Sequence, residues 1–229
     1  MEILSIIPAR GGSKGIKRKN IKLINNKPLI AYSIEASLNS KYITKTILSS
    51  EDDEILEVAQ NYGAQTLKRP IELAQDETKT APVMLQVIEE LEKNNYKPDY
   101  VVLLQPTSPL RDSNYIDSAM DYYFKKQKEG YDSCFSGFDI GYTHSKWRVL
   151  HNNKLECLYD FRTRPRRQDV NEHYQMVQEN GAFYALPTET LKETKDFIGY
   201  NPCIYLTDRM IDIDTVKDFE KVEKIIKNN

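Results

Sequence analysis

No two cysteines of this chain stand in C-x-x-C spacing; there are three, Cys134, Cys157 and Cys203, odd in number and far apart. That excludes a disulfide framework and a cysteine-based zinc site, and makes a reducing compartment, the cytoplasm, the expectation. Long apolar runs are missing as well. Nothing approaches the roughly eighteen residues of a membrane span, and the first residues lack the extended apolar region of a secretory signal. Excess charge is missing too: a net charge of -2 gives no global attraction to nucleic acid or to an anionic membrane. Without repeats or low-complexity tracts, 229 residues with 40% apolar content suit a single α/β domain that buries its own core.

Against that neutral background, positive charge gathers near the start. Glu2 to Ile7 is a short apolar run stopped by Pro8, and Ala9-Arg10-Gly11-Gly12-Ser13-Lys14-Gly15 follows. Glycines at 11, 12 and 15 permit positive φ, so several backbone N–H groups can face one concavity, with Arg10, Lys14, Lys17, Arg18 and Lys19 around it. A polyphosphate suits such a loop. Two familiar phosphate loops do not match: a Walker A needs Lys followed by Ser or Thr where this chain has Lys14-Gly15, and a dinucleotide fingerprint must open straight into a helix.

Apolar and amphipathic runs alternate along most of the chain, the pattern of a mostly parallel sheet layered between helices. Strands are expected near Glu2–Ile7, Thr44–Ser49, Gln65–Lys68, Tyr100–Leu104, Asp132–Phe135, Gly181–Leu186, Cys203–Leu206 and Ile211–Asp214. Helices are expected over Pro28–Leu38, Asp52–Tyr62, Thr80–Asn94 and Asn114–Lys128, with a last one ending near Ile226. Glu51-Asp52-Asp53-Glu54 resembles a metal cluster but reads better as capping at a positive helix end. Between residues 137 and 180 the alternation gives way to aromatics and arginines, among them Tyr142, Trp147, Tyr159, Arg162, Arg164, Arg166 and Arg167. Such a segment is expected to be an inserted arm that packs on a second copy of the chain.

Three further stretches carry chemistry. Leu103 to Arg111 follows the most apolar strand, so Gln105 is expected at a strand's carboxyl end, where α/β sheets bind ligands and an amide suits hydroxyl or amide groups; a rigid turn is the plainer reading, and Arg111 can simply begin the next helix. Arg69 closes the third strand and can serve a base edge or a phosphate, or stand at the surface. Met210-Ile211-Asp212-Ile213-Asp214-Thr215 alternates as a strand would, which places both carboxylates on one face, about 7 Å apart. That pair suits a magnesium ion, although Asp214 could equally cap the last helix and Asp212 face solvent.

Together these pieces resemble the bacterial CMP-sialic acid synthetase family. The I-P-A-R-x-G-S-K-G-x-x-x-K-N signature stands at Ile7 to Asn20, R-P-x-E-L-A at Arg69 to Ala74, and L-Q-P-T-S-P-L-R at Leu104 to Arg111. R-R-Q-D stands at Arg166 to Asp169, N-G-A-x-Y at Asn180 to Tyr184 and D-I-D-T at Asp212 to Thr215. The resemblance implies a Rossmann-like α/β sheet with a small dimerisation arm, a homodimer, and magnesium-dependent transfer of CMP from CTP to a nine-carbon sugar acid with release of pyrophosphate. It implies Arg10, Gly12, Ser13, Lys14 and Lys19 at the triphosphate, and Asn20, Arg69 and Thr80 at the cytidine. Gln105, Lys146 and Arg167 would take the sugar acid, and Asp212 and Asp214 the metal. Arg10, Lys19 and Asp214 would serve catalysis, with the proton going to Asp214 or to a base on the metal.

N-acetylneuraminate is the acceptor the resemblance suggests first, with legionaminate, pseudaminate or Kdo-type acids as alternatives and a non-catalytic nucleotide-binding module as a reading from another class. Gln178-Glu179 stands where some members carry an Arg before N-G-A, and the segment from Asn171 to Gln178 is longer, a departure that bears on which acid is accepted.

Overall fold

A computed structural model describes residues 1–142, 147–150, 154–157, 160–163, 166–169 and 175–228. Its frame is a seven-stranded sheet. In chain order the elements are β1 (Ile3–Pro8), β2 (Leu23–Ile24), β3 (Lys27–Pro28), α1 (Leu29–Leu38), β4 (Lys45–Ser50), α2 (Asp53–Asn61), β5 (Gln65–Lys68), α3 (Thr80–Lys93), β6 (Tyr100–Leu103) and α4 (Ser113–Gln127). There follow β7 (Ser133–Tyr142), β8 (Trp147–Val149), β9 (Leu155–Cys157), β10 (Gln175–Pro187), α5 (Thr188–Thr194), β11 (Pro202–Leu206) and α6 (Val216–Asn228). The sheet runs β11-β7-β10-β6-β1-β4-β5, parallel throughout except that β10 is antiparallel to both neighbours.

The central strands are apolar on both faces, as a sheet covered on two sides requires. On β1, Ile3 and Ile7 join one core with α1, α2 and α4, through Ile30, Ile34, Ile55 and Met120. Leu4 and Ile6 face the other way, against Met84, Val87 and Ile88 of α3 and Leu191 of α5. The period of two along one strand thus feeds both helical layers. β1, β4, β5 and β6 end on the same edge, so the loops after Pro8, Ser50, Lys68 and Leu103 converge there.

A third, smaller cluster brings the chain's ends together: Ile16 from the first loop, Ile24 and Leu29, then Ile213, Phe219 and Val222 from the other end. The β2–β3 hairpin that carries Ile24 turns on Asn25 and Asn26, both left-handed at φ 48° and 63°, a conformation asparagine tolerates well.

Three expectations need correction. The stretch from Ile211 to Asp214 is not a strand; it lies alongside the Gln105–Arg111 loop, touching it through one backbone bond, Ile213 N–H to the Thr107 carbonyl at 2.9 Å. The glycines at 11, 12 and 15 do not take positive φ. Gly11 and Gly15 answer to crowding instead, since a Cβ would stand 2.6 Å from Asp52 Oδ2 and 2.5 Å from the Asp214 carbonyl oxygen, while a Cβ at Gly12 would meet nothing. Finally, β7 and β10 run well beyond the expected Phe135 and Gly181 into the aromatic segment, where they pair from Gln175 with Tyr142 to Glu179 with Gly137. The helix α5 was not anticipated.

Candidate active site

The converging loops enclose a cavity of about 480 Å³. From the first loop come Arg10, Ser13, Lys14, Lys19 and Asn20; Arg69, Thr80, Gln105 and Asp214 complete the expected residues found there. Gly12 does not line it. Of the five cations of the first loop, three face the cavity. Lys17 is exposed, and Arg18, held at φ 54°, turns to Asp52 and Glu54 at the start of α2. The acidic run before α2 is therefore divided. Asp52 caps the helix, accepting from Ile55 N at 3.1 Å, and the Arg18 guanidinium holds its carboxyl below the usual range. Glu51 does other work: Oε1 accepts from Gly11 N at 2.7 Å while Oε2 receives the Arg69 guanidinium at 3.3 Å.

Arg69 is buried, and that burial lowers its pKa. Asn20, also buried, donates its amide to the Arg10 carbonyl at 2.8 Å, fixing the loop's path. Thr80 opens α3, so the positive end of a fourteen-residue helix faces the same space. Asp76 went unnoticed in the sequence. Its carboxylate stands at the cavity between Arg10 Nη1, at 2.5 Å, and Lys14 Nζ, at 2.9 Å, and those two cations depress its pKa.

A second cavity, of about 640 Å³, adjoins the first; Gln105 and Asp214 line both. Asp212 faces this second space with Glu179, Gly181, Tyr184 and Arg209. Tyr184 donates its hydroxyl to Glu179 Oε2 at 2.9 Å, and the Arg209 guanidinium lies 5.4 Å from the centre of the Phe138 ring. Asn180 is fully engaged in the fold: Nδ2 donates to Tyr115 and Thr207, and Oδ1 accepts from Ser136 and Ala182 N.

The boundary between the cavities is where the two chain ends meet. Lys19 Nζ donates to the Ile213 carbonyl at 2.8 Å and stands 4.0 Å from Asp214 Oδ1. Burial lowers the Lys19 pKa, and Asp214 and Asp212 oppose that loss. Asp214 does not cap α6. Thr215 does so, in a reciprocal pair in which Thr215 N and Oγ1 donate to Asp218 and Asp218 N donates to Thr215 Oγ1.

A family model described as Cytidylyltransferase matches residues 4–228. The chain belongs to the cytidylyltransferase family. Among relatives of this cytidylyltransferase, a pseudaminic acid cytidylyltransferase of Campylobacter jejuni is 35% identical, over 100% of this chain and 98% of its own. An N-acylneuraminate cytidylyltransferase of Escherichia coli is 33% identical over 96% of this chain and 51% of its own, and a CMP-N,N'-diacetyllegionaminic acid synthase of Legionella pneumophila is 30% identical over 100% and 98%. The solved structure of a CMP:2-keto-3-deoxy-manno-octonic acid synthetase complexed with CTP shares the fold, with a TM-score of 0.71 at 16% identity, covering 100% of this chain and 99% of that one.

The cytidylyltransferase offers a metal two carboxylates. Asp212 Oδ1 is buried with no hydrogen-bond partner, and burial raises the Asp212 pKa, with Asp214 adding to the rise. A cation beside these groups would relieve both conditions. Among the described residues no three Asp, Glu, His or Cys side chains gather as a metal cluster, so the remaining ligands would be phosphate and water oxygens, the pattern of magnesium. Lys146 lies outside the described residues, and Arg167 is described only as part of a short turn at 167–169. Cys134 and Cys203 are buried neighbours on β7 and β11, Cys157 is partly exposed, and among the described residues no helix is long and apolar enough to cross a membrane.

Proposed function

We propose that this cytidylyltransferase transfers CMP from CTP to the anomeric hydroxyl of a nine-carbon sugar acid and releases pyrophosphate. The observation that carries this reading is the pair of adjoining cavities with Gln105 and Asp214 in their common wall and Lys19 beside Asp214. CTP takes the cationic cavity, its triphosphate against Arg10, Ser13, Lys14 and Lys19 and its base toward Asn20, Arg69 and Thr80. The sugar acid takes the second cavity and bonds Gln105; Lys146 and Arg167 belong to the arm expected to meet its carboxylate. The relatives named for pseudaminic, N-acylneuraminic and N,N'-diacetyllegionaminic acids support this acceptor class, with N-acetylneuraminate the first member to try.

In the reaction the anomeric oxygen bonds to the α-phosphorus and the bond to the β-phosphate oxygen breaks. Charge builds on the phosphoryl oxygens, and Arg10 and Lys19, fixed beforehand by the fold, offset it. Asp214, at the common wall, takes the hydroxyl proton. Magnesium held by Asp212 and Asp214 would supply further charge neutralisation and orient the triphosphate. The working form is a cytoplasmic homodimer. The β8–β9 hairpin supports that, since Val149 and Leu155 are 67% and 62% exposed and suit cover by a second copy of the chain.

The test is pyrophosphate release in magnesium buffer, with CTP, UTP, ATP and GTP against N-acetylneuraminate, pseudaminate, legionaminate and Kdo. Turnover with CTP and a nine-carbon acid is expected. Tight CTP binding without turnover on any acid would favour a non-catalytic nucleotide-binding module.

A further inference from the structure

We propose that Arg111 is a positioning residue for the acceptor, holding the two rims of the second cavity at a fixed separation. This rests on the cavity being the acceptor's. Arg111 is 1% exposed, and among the described residues no carboxylate acts on it. Burying an uncompensated guanidinium is costly, and a well-packed apolar side chain often replaces such a charge without loss of stability. Burial pulls its pKa down to about 10, which leaves it protonated at neutral pH.

What the guanidinium does with that charge is specific. Nη1 donates to the Ala182 carbonyl at 2.9 Å and to the Gln105 carbonyl at 3.3 Å. Nη2 donates to Ser33 Oγ at 2.5 Å, and Ser33 in turn donates to the Gln105 carbonyl at 3.4 Å; Nε has no partner. Gln105 forms one rim of the cavity, and Gly181, directly before Ala182, forms the other. The rims nearly touch, because a Cβ on Gly181, which holds φ +72°, would stand 2.9 Å from Gln105 Oε1 and 3.8 Å from Asp212 Cγ. With Nη1 shared between the two backbone carbonyls and Nη2 anchored on Ser33, the planar guanidinium fixes the gap between them in a way an apolar side chain cannot. Gln105 and Gly181 therefore depend for their spacing on a residue that does not itself line the cavity.

The experiment compares Arg111→Met, Arg111→Lys and Ser33→Ala with wild type, using whichever panel acid the wild-type enzyme turns over fastest. CTP affinity is measured by calorimetry without acid, and KM for acid and for CTP by pyrophosphate release, with thermal melting as a check on folding. Arg111→Met should raise the acid KM at least tenfold and leave CTP affinity within twofold. Arg111→Lys should recover part of the loss, and Ser33→Ala should raise the acid KM severalfold. An unchanged acid KM in Arg111→Met, or parallel losses for CTP and acid with a silent Ser33→Ala, would overturn the positioning role. If Arg111→Met does not fold, Ser33→Ala decides. A wild-type enzyme that turns over no acid would overturn the acceptor reading, and the positioning role with it; a wild-type enzyme that does so beside indifferent variants overturns the positioning role alone.

Discussion

Lys19 and Ile213, 194 residues apart in the chain, are joined by a 2.8 Å hydrogen bond from the Lys19 ammonium to the Ile213 carbonyl. That bond places the cation between the first loop and the two carboxylates that flank Ile213. Lys19→Met frees the Ile213 carbonyl and, on the proposed function, removes a charge at the transferring phosphate. The expected loss is at least about a hundredfold in kcat, about 2.7 kcal/mol of transition-state stabilisation. Arg10→Ala and Asp212→Ala should lose as much. Wild-type turnover in any of the three removes that residue from the chemistry.

On the proposed function, Asp76 is expected to compete with the nucleotide. Its carboxylate holds Arg10 and Lys14 where phosphate oxygens are expected, so it must give way when CTP binds. Asp76→Asn should tighten CTP binding severalfold in calorimetry without acid, whereas weaker binding would show that Asp76 helps to hold the ligand.

Gly15 should tolerate no side chain. A Cβ there would stand 2.5 Å from the Asp214 carbonyl oxygen, so Gly15→Ala pushes the two chain ends apart. A stability loss of about 1–3 kcal/mol is expected from overpacking, with turnover down at least tenfold. Gly12→Ala, where the added atom meets open space, is the control and should melt as wild type does.

The pairing of Asp52 with Arg18 should be readable in the pH dependence of stability. The Asp52 pKa is depressed in the folded chain, so the pair's contribution is present above the ordinary aspartate value and is lost as pH falls through the depressed one. Asp52→Asn keeps a capping side chain but loses the charge. It should cost about 1 kcal/mol at neutral pH, with the gap to wild type closing in strong acid. A gap that widens in acid would contradict the assignment.

Much of this molecule could be read from the chain itself. Continuous apolar strands such as Ile3–Pro8 and amphipathic helices such as Thr80–Lys93 declare themselves by period, and the ordered signature motifs located most of the residues that line the first cavity. What escaped depends on distant partners. Arg18 looks like a phosphate ligand until α2 supplies Asp52 and Glu54, and Arg111 looks like the start of a helix until the Gln105 and Ala182 carbonyls close around it. The alternation of Ile211–Asp214 reflects one buried isoleucine between two carboxylates rather than a sheet ladder, which no period can distinguish. Asp76 and Arg209 carried no spacing signal, since each acquires its place only from the loop that faces it.

The most direct measurement is a crystal structure with CTP and magnesium bound. The triphosphate is expected between Arg10 and Lys19 on one side and the Asp212–Asp214 pair on the other, with Asp76 displaced from Arg10. A triphosphate bound elsewhere, with Lys19 and Asp214 both out of reach of it, would contradict the account.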